Sequence, residues 1–377
     1  MPFTIVAENC TGCTACEKRC PTRAISGEPK KAFLIEATLC IDCGACGVIC
    51  PDEAILDTFG NVTKVLKRQE RPIAVVHPDN CNGCGVCIDV CPFDCISPSA
   101  ENQATWSKLL GRMHDRWDRY ANDRFLEGLD KLQLSAARIP RLEEINRFLQ
   151  ALTGFRARPV SGYVPSYVFF DCLRRREFPT TITIRDGNKL EYLPEPDIFH
   201  DIAGHVPMHT DKAFADALVR FGQCAATAAR IASETRDEHE RLRRLTSNIK
   251  AMSRFFWFSV EFGLMRSARG DGSLKVYGSG LLSSFGEIAH AIDAPDVQRF
   301  PFQIEWVVNQ GFEIHHYQPL LYIVDSFDHL FALVTELEQW MLAGKLDNVA
   351  PGDPEVSETD LASFLHGDKT PPPITDP

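Results

Sequence analysis

The spacing of hydrophobic residues along the chain changes near residue 100. Before this point, hydrophobic positions fall in short runs such as FTIVA, AFLIEA and PIAVVH, which Gly, Pro and Asp residues separate. Such runs are typical of short strands and small hairpins. After the polar stretch SPSAENQ, aromatic and aliphatic residues recur at helical intervals, beginning near Thr105 and Trp106. The pattern therefore predicts two structural units that meet near residue 100.

Two segments of the second unit predict where helices begin and end. In PRLEEINRFLQALTG, the side chains of Leu142, Ile145, Phe148 and Leu149 share one helical face, and Gly154 lies beyond the helix end. A similar helix is predicted from Ser326 to Gly344. Between these helices, TTITIR and KLEYL alternate around Asp-Gly-Asn, which predicts a β-hairpin in a mainly helical domain.

Composition and charge narrow the classes of function. Hydrophobic residues make up 44% of the 377 residues and charged residues 24%, as in ordinary globular proteins. The net charge of -11 disfavours nucleic-acid binding, which depends on Lys and Arg neutralising phosphates. No apolar run reaches the roughly 18 residues of a membrane span, and the first residues lack a secretory signal, so we predict a cytoplasmic protein without a membrane partner. The Pro- and Asp-rich segment 347–377 is predicted to be disordered.

Cysteines dominate the first unit. Thirteen of the fifteen fall in three copies of a C-x2-C-x2-C-x3-C-P repeat and its flank, and the copies begin at Cys10, Cys40 and Cys81. This spacing is that of bacterial ferredoxins, in which the fourth cysteine of a run ligates the other 4Fe-4S cluster of a pair. Structural zinc is the alternative, but it gives no reason for three closely spaced cysteines followed by Cys-Pro. Cys172 and Cys224 stand alone and are predicted to be core residues.

The first two copies resemble a complete two-cluster bacterial ferredoxin. The resemblance implies two sets of four ligands, Cys10, Cys13, Cys16 and Cys50 for one cluster and Cys20, Cys40, Cys43 and Cys46 for the other. The third copy has no partner motif. It offers Cys81, Cys84 and Cys87 for a third cluster, with Cys91 or Cys95 as the fourth ligand. Cys95 could equally be a buried, inert thiol.

A second candidate metal site lies in the helical unit. In YLPEPDIFHDIAGHVP, Asp197 can start a short helix that Gly204 and Pro207 end, which places two histidines, His200 and His205, near its terminus. Their five-residue separation does not match the H-E-x-x-H motif of zinc proteases.

A carboxylate for this site is suggested by RFFWFSVEFGLMR, where Glu261 is the only acid in an apolar stretch. A lone buried carboxylate is costly unless it is neutralised. With His200 and His205 it would form a two-histidine, one-carboxylate triad for Fe(II). The alternative is an ion pair of Glu261 with Arg254 or Arg266.

Three motifs carry a resemblance to a family. PEPDIFHDIAGHVP, WFSVEFGLM and YGSGLLSSFGE resemble the pterin-dependent aromatic amino acid hydroxylases, above all their bacterial members, over roughly Thr105 to Gly344. The resemblance implies a mainly α-helical catalytic domain, ferrous iron held by His200, His205 and Glu261, tetrahydropterin and O2 as co-substrates, and an aromatic amino acid, with phenylalanine preferred, as substrate.

The same resemblance assigns further residues. Arg185 stands where the family binds the substrate carboxylate, a task suited to a bidentate donor. Two residues correspond to the wall of the amino acid pocket, Trp257 and Ser283. Four residues correspond to the pterin-binding region, Gly162, Val164, Phe169 and Asp201.

The fold class that follows is multidomain. An N-terminal α+β ferredoxin-like domain is predicted over residues 1–100, and a mainly α hydroxylase domain with a small β-hairpin over residues 101–346. We expect the clusters to supply or relay electrons, with a ferredoxin or flavodoxin reductase as a possible donor. Two other functions stay open, a redox or oxygen sensor with an amino-acid-binding domain and an electron carrier with a scaffold domain.

Overall fold

A computed structural model gives the structure of the chain. It describes residues 2–20, 22–40, 42–65, 100–160, 164–188, 190–191, 195–268, 270–357, 359 and 361. Several predicted site residues lie outside the described residues, namely Cys81, Cys84, Cys87, Cys91 and Gly162, together with the alternative ligand Cys95.

The N-terminal lobe, residues 2–65, consists of short elements. Strand β1 (Thr4–Ile5) pairs antiparallel with β4 (Ile55–Leu56), and β2 (Ile25–Ser26) pairs antiparallel with β3 (Leu34–Ile35). One short helix, α1, spans Ala15–Arg19. The hydrophobic core of this lobe is small and includes the side chains of Phe33 and Ile55 beside several cysteines. Small cores of this kind usually need metals or disulfides for stability.

The C-terminal lobe, residues 100–361, is mainly helical. Its α-helices, numbered α2 to α12, span Ala100–Tyr120, Asp123–Leu132, Leu142–Leu152, Ser166–Arg174, Val206–His209, Lys212–Ser233, Glu238–Phe256, Ser279–Leu282, Phe285–Asp293, Ile304–Asn309 and Phe327–Leu342. Helix α7 (Lys212–Ser233) packs against α5, α8 and α12, so these four helices surround the centre of the core. Among the described residues, no helix is both long and apolar enough to cross a bilayer.

The two helices predicted from their boundary signals are confirmed. Helix α4 buries Leu142, Ile145 and Leu149, and Gly154 follows it with a φ of 75°, a conformation that glycine adopts without strain. In α12, the Ser326 side chain accepts a hydrogen bond from the backbone N–H of His329, as a helix N-cap does. The sequence therefore determines these boundaries locally.

In the described part of this lobe, six strands accompany the helices. Strand β5 (Arg156–Val160) pairs in parallel with β6 (Glu177–Thr181). The predicted hairpin around Asp186 stays a prediction, because most of its second strand, KLEYL, lies outside the described residues. After β6, Ile198 N–H donates a hydrogen bond to Thr183 O (2.7 Å). The remaining four strands form a sheet in the order β8 (Leu274–Val276), β7 (Leu264–Arg266), β10 (Leu320–Val324), β9 (Gln298–Pro301).

The predicted disorder from residue 347 is wrong for residues 347–357. The fully buried guanidinium of Arg254 donates hydrogen bonds to the carbonyls of Ala350, Pro351, Gly352 and Asp353, at 2.8–3.2 Å. A buried cation needs such acceptors, and this segment supplies them. Residues 362–377 lie outside the described part of the chain.

Candidate metal centre and amino acid site

Two π-helical segments position the candidate metal ligands. One spans His200–His205 and continues into α6 (Val206–His209), and the other spans Trp257–Glu261 at the end of α8. In a π-helix the hydrogen bonds join residues five apart, as from Phe262 N–H to Trp257 O (2.8 Å). The five-residue separation of the two histidines therefore places both side chains on one side of the helix.

The predicted end of this first helix at Gly204 and Pro207 is wrong. Pro207 lies at the junction where the π-helical segment continues into α6, so it does not end the helix. Gly204 serves a close packing contact, since a Cβ there would lie 2.8 Å from Ser279 O and 3.2 Å from Ser283 Cβ. The glycine lets α9 (Ser279–Leu282) approach the histidine-bearing helix.

The three predicted iron ligands converge. The Nε2 atoms of His200 and His205 are 3.1 Å apart. Glu261 Oε1 lies 3.2 Å from His205 Nε2, and Glu261 Oε2 lies 3.6 Å from His200 Nε2. The alternative ion pairs of Glu261 do not form, because Arg254 binds residues 350–353 and Arg266 pairs with Asp325 at 3.1 Å.

Hydrogen bonding fixes the tautomer of His200. Its Nδ1 lies 2.8 Å from Ser283 Oγ, and this hydroxyl donates its own proton to Gly280 O (3.2 Å). In this arrangement Ser283 Oγ accepts the Nδ1 proton, which leaves Nε2 of His200 with a free lone pair. Ser283, predicted as a pocket residue, thus contacts the candidate ligand directly.

Electrostatics favour a cation between these side chains. Burial lowers the pKa of His200 to about 4 and that of His205 to about 3, so both rings are neutral at neutral pH. Burial raises the pKa of Glu261. The two facing Nε2 atoms and the buried Glu261 carboxylate are mostly hydrogen-bond acceptors, with too few donors between them. A divalent metal ion bound between these atoms would satisfy them. The donor set fits ferrous iron.

Asp201 lies beside this triad. Its Oδ1 is 3.9 Å from His200 Nε2, and its Oδ2 accepts the backbone N–H of Thr181 at 2.6 Å. Burial raises its pKa well above the usual range. Asp201 could reach a metal with His200 and His205, but we favour Glu261 as the acidic ligand because its two oxygens face both imidazoles.

Arg185, which is predicted to bind the substrate carboxylate, forms a buried ion pair with Asp197. The sequence predicts Asp197 only as the start of a helix. Asp197 accepts hydrogen bonds from Arg185 Nε (2.8 Å) and Nη2 (2.9 Å), and both side chains are buried. It also accepts the backbone N–H groups of Arg185 and His200. Burial alone would raise the pKa of Asp197, but the guanidinium and these hydrogen bonds lower it. Asp197 therefore links the predicted amino acid site to the metal centre.

Two further predicted residues lie around this centre, and a third does not. Trp257 stacks on Phe312 with ring centroids 4.0 Å apart, and its Nε1 donates to Gln318. Phe169 makes an edge-to-face contact with Phe178, whose ring lies 4.5 Å from that of His205. Val164 packs elsewhere, against the contact between the two lobes.

The cysteines of the N-terminal lobe separate into two groups. One cavity is lined by Cys10, Cys13, Cys16 and Cys50, and a second by Cys20, Cys40, Cys43 and Cys46. These are the two sets that the ferredoxin resemblance implies, with the fourth cysteine of each run crossing to the other cavity. All eight are free thiols, and burial raises the pKa of Cys16 to about 11 and of Cys46 to about 12.

This environment fits iron–sulfur clusters. Raised pKa values mean that the thiols would stay protonated without a metal, whereas cluster iron stabilises thiolates. Backbone N–H groups of Ala24 and Ala54 point at the sulfurs of Cys20 (3.2 Å) and Cys50 (3.4 Å), an arrangement that tunes cluster potentials. Cys172 and Cys224 are fully buried in the C-terminal lobe, as predicted for core residues.

Comparison with known proteins agrees with both lobes. The family model described as biopterin-dependent aromatic amino acid hydroxylase matches residues 91–342. Two models described as 4Fe-4S dicluster domains match residues 9–55 and 39–95, so the second match includes the third cysteine copy.

Individual relatives are hydroxylases. The chain is 34% identical over 233 residues to phenylalanine-4-hydroxylase of Chromobacterium violaceum, which covers 62% of this chain and 72% of that protein. It is 39% identical over 225 residues to the Caulobacter vibrioides enzyme, covering 60% and 70%. The crystal structure of the C. violaceum enzyme with iron(III) and oxidised 7,8-dihydrobiopterin has a TM-score of 0.58 at 32% identity, covering 71% of this chain and 89% of that one. The chain therefore belongs to the biopterin-dependent aromatic amino acid hydroxylases and carries iron–sulfur repeats ahead of the hydroxylase domain.

Proposed function

We propose that this chain is an iron- and pterin-dependent monooxygenase that hydroxylates an aromatic amino acid, with phenylalanine as the preferred substrate. The observation that carries the proposal is the convergence of His200, His205 and Glu261, whose nitrogen and oxygen atoms lie 3.1–3.6 Å apart. The phenylalanine-4-hydroxylase relatives support the substrate class.

The three side chains would hold the iron from one side. Two neutral imidazoles and one carboxylate occupy a single face and leave the opposite positions open. Bound ferrous iron and reduced pterin together supply the activation of O2. Ser283 keeps the His200 ring oriented through its hydrogen bond to Nδ1.

Arg185 would bind the carboxylate of the amino acid. Asp197 engages its Nε and Nη2 atoms, which fixes the guanidinium plane and leaves Nη1 for a substrate oxygen. Binding at this point orients the substrate, so that its aromatic ring reaches the metal centre in a defined position. We assign Trp257 to the pocket wall, where its ring offers apolar surface.

The pterin would lie between Phe169 and Asp201. Phe169 is partly buried beside Phe178, next to the His205 ring. Asp201 follows the first ligand directly and is oriented by Thr181 N–H. Gly162 would complete this region, with Val164 at its edge toward the N-terminal lobe.

We further propose that the iron–sulfur clusters supply electrons to the hydroxylase domain. The two cysteine groups support two clusters, and the match over residues 39–95 supports a third cluster site in the third copy. An external one-electron donor of the ferredoxin or flavodoxin class, with its reductase, would reduce them.

Anaerobic purification, followed by iron and sulfide counting and assay with each aromatic amino acid, tests the hydroxylase proposal. We expect tyrosine from phenylalanine when tetrahydropterin and O2 are present. Glu261→Gln should lose iron and product, whereas Glu287→Gln, a change at a buried acid away from the triad, should keep both. Full iron loading without hydroxylated product from any of the three amino acids would reject the proposal and favour a sensor.

A further inference from the structure

The two lobes are joined by a buried arginine. Arg158 on β5, 4% exposed, donates from Nε to Thr22 O (2.9 Å) and from Nη2 to Arg23 O (2.7 Å). Its Nη1 pairs with Glu177 on β6 at 2.6 Å. Three acceptors in different directions suit the planar fork of a guanidinium and no other side chain.

The carbonyls that Arg158 binds belong to a turn that carries a candidate cluster ligand. We call residues 20 and 22–24 the Cys20 turn. In this turn the Ala24 N–H donates a hydrogen bond to Cys20 Sγ (3.2 Å). This N–H group and the two carbonyls that bind Arg158 therefore lie within five residues of one another. Positioning the turn therefore also positions the sulfur.

Apolar contacts surround this hydrogen-bonded centre. Ala24 and Leu39 are buried against Val160, the last residue of β5. Cys20 and Cys40, both of the second cysteine group, pack at the edge of this cluster, as does Val164. The second group therefore borders the C-terminal lobe next to the region assigned to the pterin.

The described residues give the first cysteine group no such contact. Its equivalent turn runs from Cys50 to Ala54, with the same N–H to sulfur hydrogen bond. Within the described parts of the C-terminal lobe, no residue donates a hydrogen bond to this turn, and Glu53, at the position of Arg23, is exposed. The docking is thus specific to one of two otherwise similar turns.

We propose that Arg158 is a positioning residue that docks the Cys20 turn, and that the cluster of Cys20, Cys40, Cys43 and Cys46 is the one of the two that passes electrons to the metal centre. This inference rests on the proposed function of the clusters as electron donors. To that function the inference adds which cluster donates the electron and which residue positions the turn that carries one of its ligands.

A short connected path leads from this contact to the candidate iron ligands. Val160 pairs with Thr181 across the parallel strands β5 and β6. The Thr181 N–H donates to Asp201 Oδ2, and Asp201 is bonded through its peptide to His200. A route through paired strands, one hydrogen bond and one peptide bond favours electron transfer over gaps between loosely packed groups.

The redox step is a one-electron exchange. A reduced cluster gives up one electron and becomes oxidised, and one ferric ion at the centre accepts it and becomes ferrous, without transfer of an atom. The ferric state is accessible in the family, since a relative's crystal structure holds bound iron(III). A low-potential one-electron donor restores the cluster.

The experiment uses the full chain with both clusters and with ferric iron at the hydroxylase site, under anaerobic conditions and without pterin. A photoreduced deazaflavin delivers electrons, and freeze-quenched electron paramagnetic resonance follows the cluster and ferric signals. Hydrogen exchange at the Ala24 amide reports the docking of the turn. Arg158→Gln is the test variant, and Arg156→Gln is its matched control, because Arg156 also pairs with Glu177 but does not bind the Cys20 turn.

We expect Arg158→Gln to slow reduction of the ferric ion about tenfold or more, because the Cys20 turn loses both carbonyl hydrogen bonds that dock it and is no longer held in position. Exchange at Ala24 should accelerate in parallel. Arg156→Gln should change both by less than about threefold, since the two carbonyl contacts remain. If Arg158→Gln fails to fold, Arg158→Lys serves, with an intermediate effect because one ammonium cannot serve three acceptors. Unchanged rates in the Arg158 variants would overturn the docking role.

A second pair of variants tests which cluster is used. Cys13 and Cys43 are both exposed and hold equivalent positions in their repeats. Cys43→Ser should abolish reduction of the ferric ion, whereas Cys13→Ser should retain it. The reverse result would overturn the assignment. If the natural chain itself never reduces its ferric ion, yet hydroxylates phenylalanine with added tetrahydropterin, the electron-donor function fails and the hydroxylase function stands.

Discussion

Replacing Asp197 by Asn should destabilise the protein strongly. The Asp197 carboxylate accepts four hydrogen bonds, from Arg185 N–H, Nε and Nη2 and from His200 N–H, all at 2.8–2.9 Å. The side chains of Asp197 and Arg185 are 3% and 2% exposed. The amide keeps the shape of the carboxylate but loses its charge, and its NH2 group can accept none of these hydrogen bonds.

The magnitude follows from the burial of the pair. Removing one partner of a buried ion pair costs about 3–5 kcal/mol, because the other charge stays buried without compensation. For a domain of this size, each kcal/mol lowers the melting temperature by about 2–4 °C, so we expect a drop of roughly 6–20 °C. The KM for the amino acid should also rise, since Arg185 loses the group that orients it.

Calorimetry of the iron-loaded variants, combined with KM measurements, tests this reasoning. Asp216→Asn is the control: Asp216 pairs with Arg176 and Lys212 but is 43% exposed, so its loss should cost less than about 1 kcal/mol. Replacing both partners, in Arg185→Met with Asp197→Asn, should recover part of the lost stability but not substrate binding, because the amide oxygen still accepts a backbone N–H and no buried charge is left unpaired. A melting temperature of the Asp197→Asn protein within about 2 °C of the natural chain would refute the account.

Three further predictions concern other contacts of the C-terminal lobe. Ser283→Ala should weaken iron binding about 10- to 100-fold, because the His200 tautomer is no longer fixed; an iron titration with unchanged affinity would contradict this. Burial raises the pKa of Glu287, which lies near His316, from 4.5 to about 7, so the natural chain should lose up to about 3 kcal/mol of stability as the pH rises through this interval. Glu287→Gln cannot ionise; it should therefore match the natural chain at pH 5 and be more stable above pH 7, and parallel unfolding curves at all pH values would disprove it. Truncation after residue 346 should cost about 3 kcal/mol or more in denaturant unfolding, since Arg254 loses most of its acceptors, and an unchanged midpoint would show that the segment is dispensable.

The cysteine groups were predictable because their geometry is local. Three cysteines within seven residues must face one point, and the repeat fixes which distant cysteine joins them. The pairing of Cys50 with Cys10 and of Cys20 with Cys40 follows from that symmetry, and the cavities contain these sets. The third copy lies outside the described residues, so its ligand set stays a prediction.

The metal centre was predictable in its residues but not in its backbone. A solitary acid in an apolar stretch, Glu261, signals a buried partner. The π-helical turns that bring His200 and His205 together have no sequence signature, and helix-ending signals at Gly204 and Pro207 suggested the wrong boundary. Tertiary contact, here the approach of α9 to Gly204, decides the local structure.

The buried contacts of Asp197 and Arg158 could not be predicted from the sequence. Asp197 and Arg158 act through partners that are distant in sequence, Arg185 twelve residues away and Thr22 at a separation of 136. An acid before a helix or a base within a short strand is ordinarily a solvated residue, so no pattern distinguishes these two. The order of segment 347–357 was also not predictable, because its Pro- and Asp-rich composition gives no sign that its backbone carbonyls bind Arg254.

Mass spectrometry after a single turnover with isotopically labelled dioxygen tests the central claim most directly. The iron-loaded full chain would receive phenylalanine, tetrahydropterin and the labelled gas. If His200, His205 and Glu261 hold one iron that hydroxylates the bound amino acid, tyrosine appears with one labelled oxygen atom. Unlabelled tyrosine, or none despite one iron bound at this triad, would contradict the account.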